Sequence, residues 1–93
     1  MNTTRINEFQ AAENRGEDLY KFLKSLVPYI SSSNGCISCE LLRNSDTPGH
    51  YVIIEKWDSV QDHKNSVETF PKEEMQKGMT LIANPPRGGY FSE

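Results

Sequence analysis

Residues 36 to 58 read Cys36-Ile37-Ser38-Cys39-Glu40-Leu41-Leu42-Arg43, then Asn44-Ser45-Asp46-Thr47-Pro48-Gly49, then His50-Tyr51-Val52-Ile53-Ile54-Glu55-Lys56-Trp57-Asp58. The middle hexapeptide is a turn, because proline presets φ and glycine accepts a positive one. The flanking runs are therefore the antiparallel strands of a hairpin. Strict alternation puts Ile37, Cys39 and Leu41 on one face of the first strand, with Cys36, Ser38, Glu40 and Leu42 on the other. The second strand is rich in β-branched and aromatic residues, with Tyr51, Ile53, Glu55 and Trp57 on one face and Val52, Ile54 and Lys56 on the other.

N-terminal to the hairpin, Leu19, Phe22, Leu23, Leu26, Val27 and Ile30 recur with the 3.6-residue period of an amphipathic helix beginning at Gly16. Pro28 lacks a backbone donor and crowds the preceding turn, so a kink or stop is expected near Val27, before Ser31-Ser32-Ser33-Asn34-Gly35 closes the segment. Residues 3 to 10, with Ile6 and Phe9 among polar neighbours, read as a strand. C-terminal to the hairpin, Ser59 is an N-cap with Asp62 three residues on, and Val60, Lys64 and Val67 follow at helical spacing. Pro71 at a first helical position restarts a helix carrying Met75, Met79 and Ile82 on one face with Leu81 beside it, which Pro85-Pro86 ends. Gly88 to Ser92 is a short closing strand.

The order β-α-β-β-α-(α)-β is the ferredoxin-like split β-α-β pattern of the α+β class, a four-stranded antiparallel sheet with helices on one face. No linker, repeat or low-complexity tract divides the 93 residues, so 1–93 is expected to be one domain. Val52, Ile54 and their neighbours would leave an apolar patch on the uncovered face, and a second copy of the chain laid sheet against sheet is the simplest cover. Leu, Ile, Val and Phe together make 20 of the 93 residues, a modest core that also favours a dimer.

Ten basic residues against thirteen acidic ones, net −3, argue against nucleic acid or an anionic membrane as partner. The N-terminus leads into no apolar run of signal-peptide or membrane-spanning length, and two cysteines make no disulfide framework, so a cytoplasmic location is expected. No dinucleotide fingerprint, phosphate-binding loop, nucleophile elbow or H-E-x-x-H occurs, which leaves nucleotide cofactors, triad hydrolysis and zinc proteolysis without support and suits chemistry that uses no cofactor.

Gly35 to Arg43, the strand ending Glu55-Lys56-Trp57 and the helix opening at Ser59 together resemble the antibiotic biosynthesis monooxygenase domain, whose pattern is G-C-x-S-x-E-L-x-R, a turn, and a strand closing on E-x-W. The resemblance spans most of the chain. It implies ferredoxin-like subunits paired into a dimeric α+β barrel, with a pocket between sheet and helices in each. Members of that superfamily include cofactor-independent quinol and anthrone monooxygenases, haem-degrading enzymes and a protein that processes a quorum-sensing sugar phosphate. In many members a histidine follows the tryptophan by nine or ten positions; here Ser66 and Val67 stand there and the nearest is His63, which weakens a haem reading. Asn7 resembles a polar residue that several members use near the substrate.

The expected activity is monooxygenation of a small planar quinol or anthrone by O2. His63 is the candidate general base, as a neutral imidazole on a helix beside the expected pocket. Asn7 and Tyr51 would orient substrate oxygens, and Trp57 would stack on the ring. Glu55, a carboxylate on a covered face, would either pair with a base such as Arg43 or Arg5, the favoured reading, or have a raised pKa suited to proton transfer. The C-x-x-C of Cys36 and Cys39 lies on a strand, where positions i and i+3 project from opposite faces, so it reads as small apolar packing rather than a redox or metal pair; no metal ligand set is expected. The alternative, favoured by the missing histidine, is a non-catalytic or stress-related dimer that binds a small ligand; haem degradation and isomerisation are further options within the fold.

Overall fold

The computed structural model describes residues 2–93. Its elements are β1 (Thr3–Gln10), α1 (Gly16–Ser31), β2 (Cys36–Arg43), β3 (His50–Trp57), α2 (Val60–Thr69), α3 (Lys72–Met79) and β4 (Arg87–Phe91). The sheet order is β2-β3-β1-β4, every pairing antiparallel. This is the expected ferredoxin-like arrangement of the α+β class. Gly49 turns the hairpin with φ +79°, and Asn44 Oδ1 accepts the backbone N–H groups of Asp46 and Thr47.

Leu19, Leu23 and Leu26 of α1 pack against Phe9, Tyr51 and Ile53 of the two central strands, all of them buried. The period-3.6 stripe thus meets the period-2 face that the hairpin sequence defines. Among the described residues, no helix is long and apolar enough to cross a membrane.

Four local expectations are revised. The helix does not stop at Val27 but runs through Pro28 to Ser31. Proline costs one intrahelical bond there, and tertiary contacts outweigh it: Ile30 packs on the core and the Tyr29 hydroxyl donates to the Ser66 carbonyl at 2.8 Å. Ile82 and Leu81 lie beyond the end of α3, where Ile82 bridges Ala11 next to β1. The inward face of α2 carries His63 and Ser66, whereas Val67 is 53% exposed, because the helix is seated through polar contacts, including one between Ser66 Oγ and Ser33 Oγ at 3.0 Å.

The fourth revision concerns the cysteines. A bulge between Cys36 and Ser38 leaves Cys36 opposite Trp57 and Cys39 opposite Glu55. One inserted residue flips the alternation, so Ile37 turns out to solvent and the two cysteines share the covered face instead of opposing ones. Both are free thiols. Burial, and next the neighbouring Glu55, push Cys39 up to about 12 and raise Cys36 as well, which is the behaviour of packing residues rather than of nucleophiles.

Candidate functional site

Between the inner face of the sheet and the three helices lies a cavity of about 350 Å³, in the range of small-molecule sites. Its helical wall is apolar and adaptable: Phe22 and Leu26 from α1, Phe70 at the end of α2, and Met75 and Met79 from α3. Flexible thioethers suit a wall that must fit a ligand. The floor comes from the sheet. Arg5, Asn7 and Phe9 alternate along β1, Ile53 and Glu55 along β3, and their shared register points them to the same side.

Polar groups collect at one end. The Glu55 side chain is buried, and its Oε1 accepts the indole N–H of Trp57 at 2.9 Å. His63 Nε2 lies 3.8 Å from that oxygen, and the imidazole sits edge-on to the Trp57 ring. On its other side His63 Nδ1 is 2.7 Å from the hydroxyl of Tyr90, which β4 places opposite Arg5. The Arg5 guanidinium lies over the Tyr90 ring, 4.7 Å from its centre. Gly88 makes room for this layer, since a β-carbon there would run into Arg5 and the Asn7 amide.

Burial disfavours charge on both members of the His63–Glu55 pair. It pushes His63 down to about 4, helped by the positive charges of Arg5 and Lys64. It raises Glu55 above the usual carboxylate range, against the Trp57 hydrogen bond and Arg5, which pull it down. At neutral pH the site therefore presents a neutral imidazole beside a carboxyl group whose proton is held more tightly than usual. This is equipment for moving a proton in a largely apolar cavity.

Of the sequence-predicted residues, His63, Asn7 and Glu55 line the cavity together. Trp57 and Tyr51 do not. Trp57 is fully buried behind Glu55, where it acts as the carboxylate's hydrogen-bond donor. Tyr51 spends its hydroxyl on the Gly16 carbonyl at 2.7 Å and fastens the start of α1 to the sheet. The favoured pairing of Glu55 with Arg43 or Arg5 is not formed as an ion pair among the described residues: Arg43 stacks on Tyr20, 3.9 Å from the ring centre, and Arg5 favours the carboxylate only by its nearby charge. His50 stands outside the site, between Glu8 and Asn44. Tyr90 is the partner of His63 that the sequence did not single out. Its signal was available in the fold class: in the split β-α-β order β4 lies beside β1, and its alternation faces Tyr90 inward.

The sequence model for antibiotic biosynthesis monooxygenases matches residues 3–79, from the first strand to the end of α3. The chain belongs to the antibiotic biosynthesis monooxygenase family. Solved structures agree at the level of the fold. SnoaB, a cofactor-independent oxygenase from Streptomyces nogalater, superposes with a TM-score of 0.83 at 17% identity, over 99% of this chain and 92% of its own. PA3566 from Pseudomonas aeruginosa gives 0.88 at 20% identity, over 99% and 93%. Rv0793 from Mycobacterium tuberculosis gives 0.87 at 17%, over 100% and 95%. No curated protein matches the chain by sequence. Within the antibiotic biosynthesis monooxygenase family, then, the architecture is shared while the cavity residues have to be read from this chain itself.

Proposed function

We propose that the cavity binds a small planar quinol or anthrone and that the protein catalyses its monooxygenation by O2, without a cofactor. The observation that carries this reading is the juxtaposition of a neutral, buried imidazole, a carboxyl group and an amide at one end of an otherwise apolar cavity. Membership of the antibiotic biosynthesis monooxygenase family and the fold shared with SnoaB support the oxygen-using part.

The chemistry asks little of the protein beyond positioning and a proton acceptor. His63 Nε2 takes a proton from the activated C–H or O–H of the substrate, while Nδ1–H donates to the Tyr90 oxygen and holds the ring in the tautomer that leaves Nε2 free. The electron-rich anion reduces O2, and recombination forms a C–O bond as a peroxide. Loss of water leaves a carbonyl: a CH2 group and O2 become C=O and H2O, the substrate supplying all the electrons. Asn7 orients a substrate oxygen, and Glu55, fixed by Trp57 and 3.8 Å from Nε2, stabilises the imidazolium once the proton has arrived. The protein works as a homodimer through the outer sheet face, which carries the exposed Leu42 and Phe91 at its two edge strands and Val52 and Ile54 between them.

The test is oxygen consumption with a panel of quinols and anthrones, autoxidation subtracted, on wild type and His63→Ala. Uptake that falls roughly 100- to 10,000-fold in the variant is expected from loss of a general base. No uptake across the panel would replace the oxygenase reading with that of a ligand-binding protein.

A further inference from the structure

The cavity holds one group that the proposed chemistry does not use. Arg5 lines it from β1, and its Nε is enclosed without any hydrogen-bond partner. Among the described residues, no carboxylate comes within ion-pair distance of the guanidinium; the four ion pairs involve Arg15, His50, His63 and Lys77 instead. A buried donor left unpaired costs free energy, so one that borders a cavity favours an acceptor brought there by a ligand. Tyr90 supports the guanidinium from below, and the bare backbone of Gly88 leaves room for it beside the Asn7 amide. The fold thus spends a glycine and an aromatic ring on holding a positive charge at the polar end of an apolar cavity.

We propose that Arg5 is the seat for an anionic oxygen on the ligand, so that the substrate class is planar aromatic acids: a carboxylate or ionised phenol on Arg5, and the ring system against Phe22, Phe70 and Met75. The inference rests on the proposed function for its aromatic substrate and goes beyond it in assigning charge and orientation. A guanidinium binds a planar oxyanion through two N–H groups in a low-dielectric pocket, which neutral analogues cannot match. With the acid on Arg5, the far end of the ring system lies toward the helices and the near end beside His63.

The experiment is equilibrium binding of three naphthalenes at neutral pH: 2-naphthoate, the neutral 2-naphthamide, and a nitronaphthol ionised at that pH. Wild type is expected to bind one or both anions at least tenfold more tightly than the amide, and which anion wins tells carboxylate from phenolate. Arg5→Met should erase the preference by weakening the anions far more than the amide, and Arg5→Lys should restore part of it. If Arg5→Met does not fold, Gly88→Ala, whose new methyl group displaces the guanidinium, should lower the preference instead. Equal binding of anion and amide by wild type, a preference that survives in these variants, or no binding of any of the three overturns the inference. Oxygen uptake does not enter this readout. An Arg5-dependent preference with no uptake from any quinol upholds the anionic ligand and removes only the oxygenase reading.

Discussion

The hydroxyl of Tyr90, on the last strand, lies 2.7 Å from Nδ1 of His63, on the second helix, and joins two segments 27 residues apart across the cavity's polar end. A buried histidine serves as a base only when its ring is held with one nitrogen free, and Tyr90, bonded to Nδ1, is the partner that orients the ring. Tyr90→Phe is therefore expected to lower turnover by about tenfold with little change in substrate KM, well short of the roughly 100- to 10,000-fold loss for His63→Ala. Steady-state kinetics on both variants check this; a Tyr90→Phe enzyme with full turnover would detach the tyrosine from the chemistry.

The depressed proton affinity of His63 makes a prediction about pH that needs no substrate. In the unfolded chain the imidazole titrates near 6.5, and in the fold it is pushed down to about 4. Between those values the unfolded state binds the proton and the folded state does not, so acid favours unfolding. The stability tied to the neutral imidazole is whole above about pH 6.5 and is lost as pH falls toward 4. The melting temperature of wild type should accordingly drop relative to His63→Gln through that window. Parallel curves for the two proteins would contradict the burial argument.

The same shift fixes where activity should fail. With His63 as the base, kcat/KM should hold through mild acid and fall only as the pH approaches about 4, rather than around the ordinary histidine value near 6.5. A pH–rate profile with its acid limb near 6.5 would assign the base to another group.

Much of this was legible in the sequence, for identifiable reasons. The hairpin, the α1 stripe and the split β-α-β order follow from local periodicity and turn chemistry, which tertiary structure has little cause to override. Asn7 and Glu55 could be placed because β1 and β3 are central strands whose alternation is uninterrupted, and His63 because the Ser59 cap fixes where α2 begins. The errors arose where one residue changes the count or where two groups compete for a partner. The bulge at Ile37 reversed the facing of Cys36, and nothing local in Cys-Ile-Ser-Cys announces an inserted residue. Tyr51 and Trp57 were correctly turned inward, but whether an inward hydroxyl or indole meets a ligand or the protein depends on where α1 begins and how Glu55 lies. The continuation of α1 past Pro28 was settled by Tyr29 reaching Ser66, a contact 37 residues away.

Gly78 governs how closely α3 covers the cavity. A β-carbon at this position would run into the ring of Phe22, itself part of the cavity wall. Gly78→Ala must push the ring into the cavity or lift the helix, and overpacking of this kind costs about 1–3 kcal/mol. Chemical denaturation should show that loss even though alanine is the better helix former by roughly 1 kcal/mol. The same variant should bind planar ligands more weakly than wild type. A neutral or stabilising effect would mean that Phe22 moves aside at little cost.

The outer face of the sheet carries the last prediction. Leu42 and Phe91 are 45% and 54% exposed, and Ile6, Val52 and Ile54 share their side through the register of the four strands. Clustered apolar side chains on a sheet face are costly to leave in water, and the helices cannot cover them because they occupy the opposite face. A second copy laid face to face would bury the patch symmetrically. Light scattering at micromolar concentration should give twice the 10.6 kDa chain mass, and Ile54→Lys, which places a charge in the middle of the patch, should give the monomer. Because the cavity opens on the other side of the sheet, that variant should keep the Arg5-dependent preference for aromatic anions if the monomer stays folded. A wild-type monomer at that concentration would show that the patch is tolerated in water.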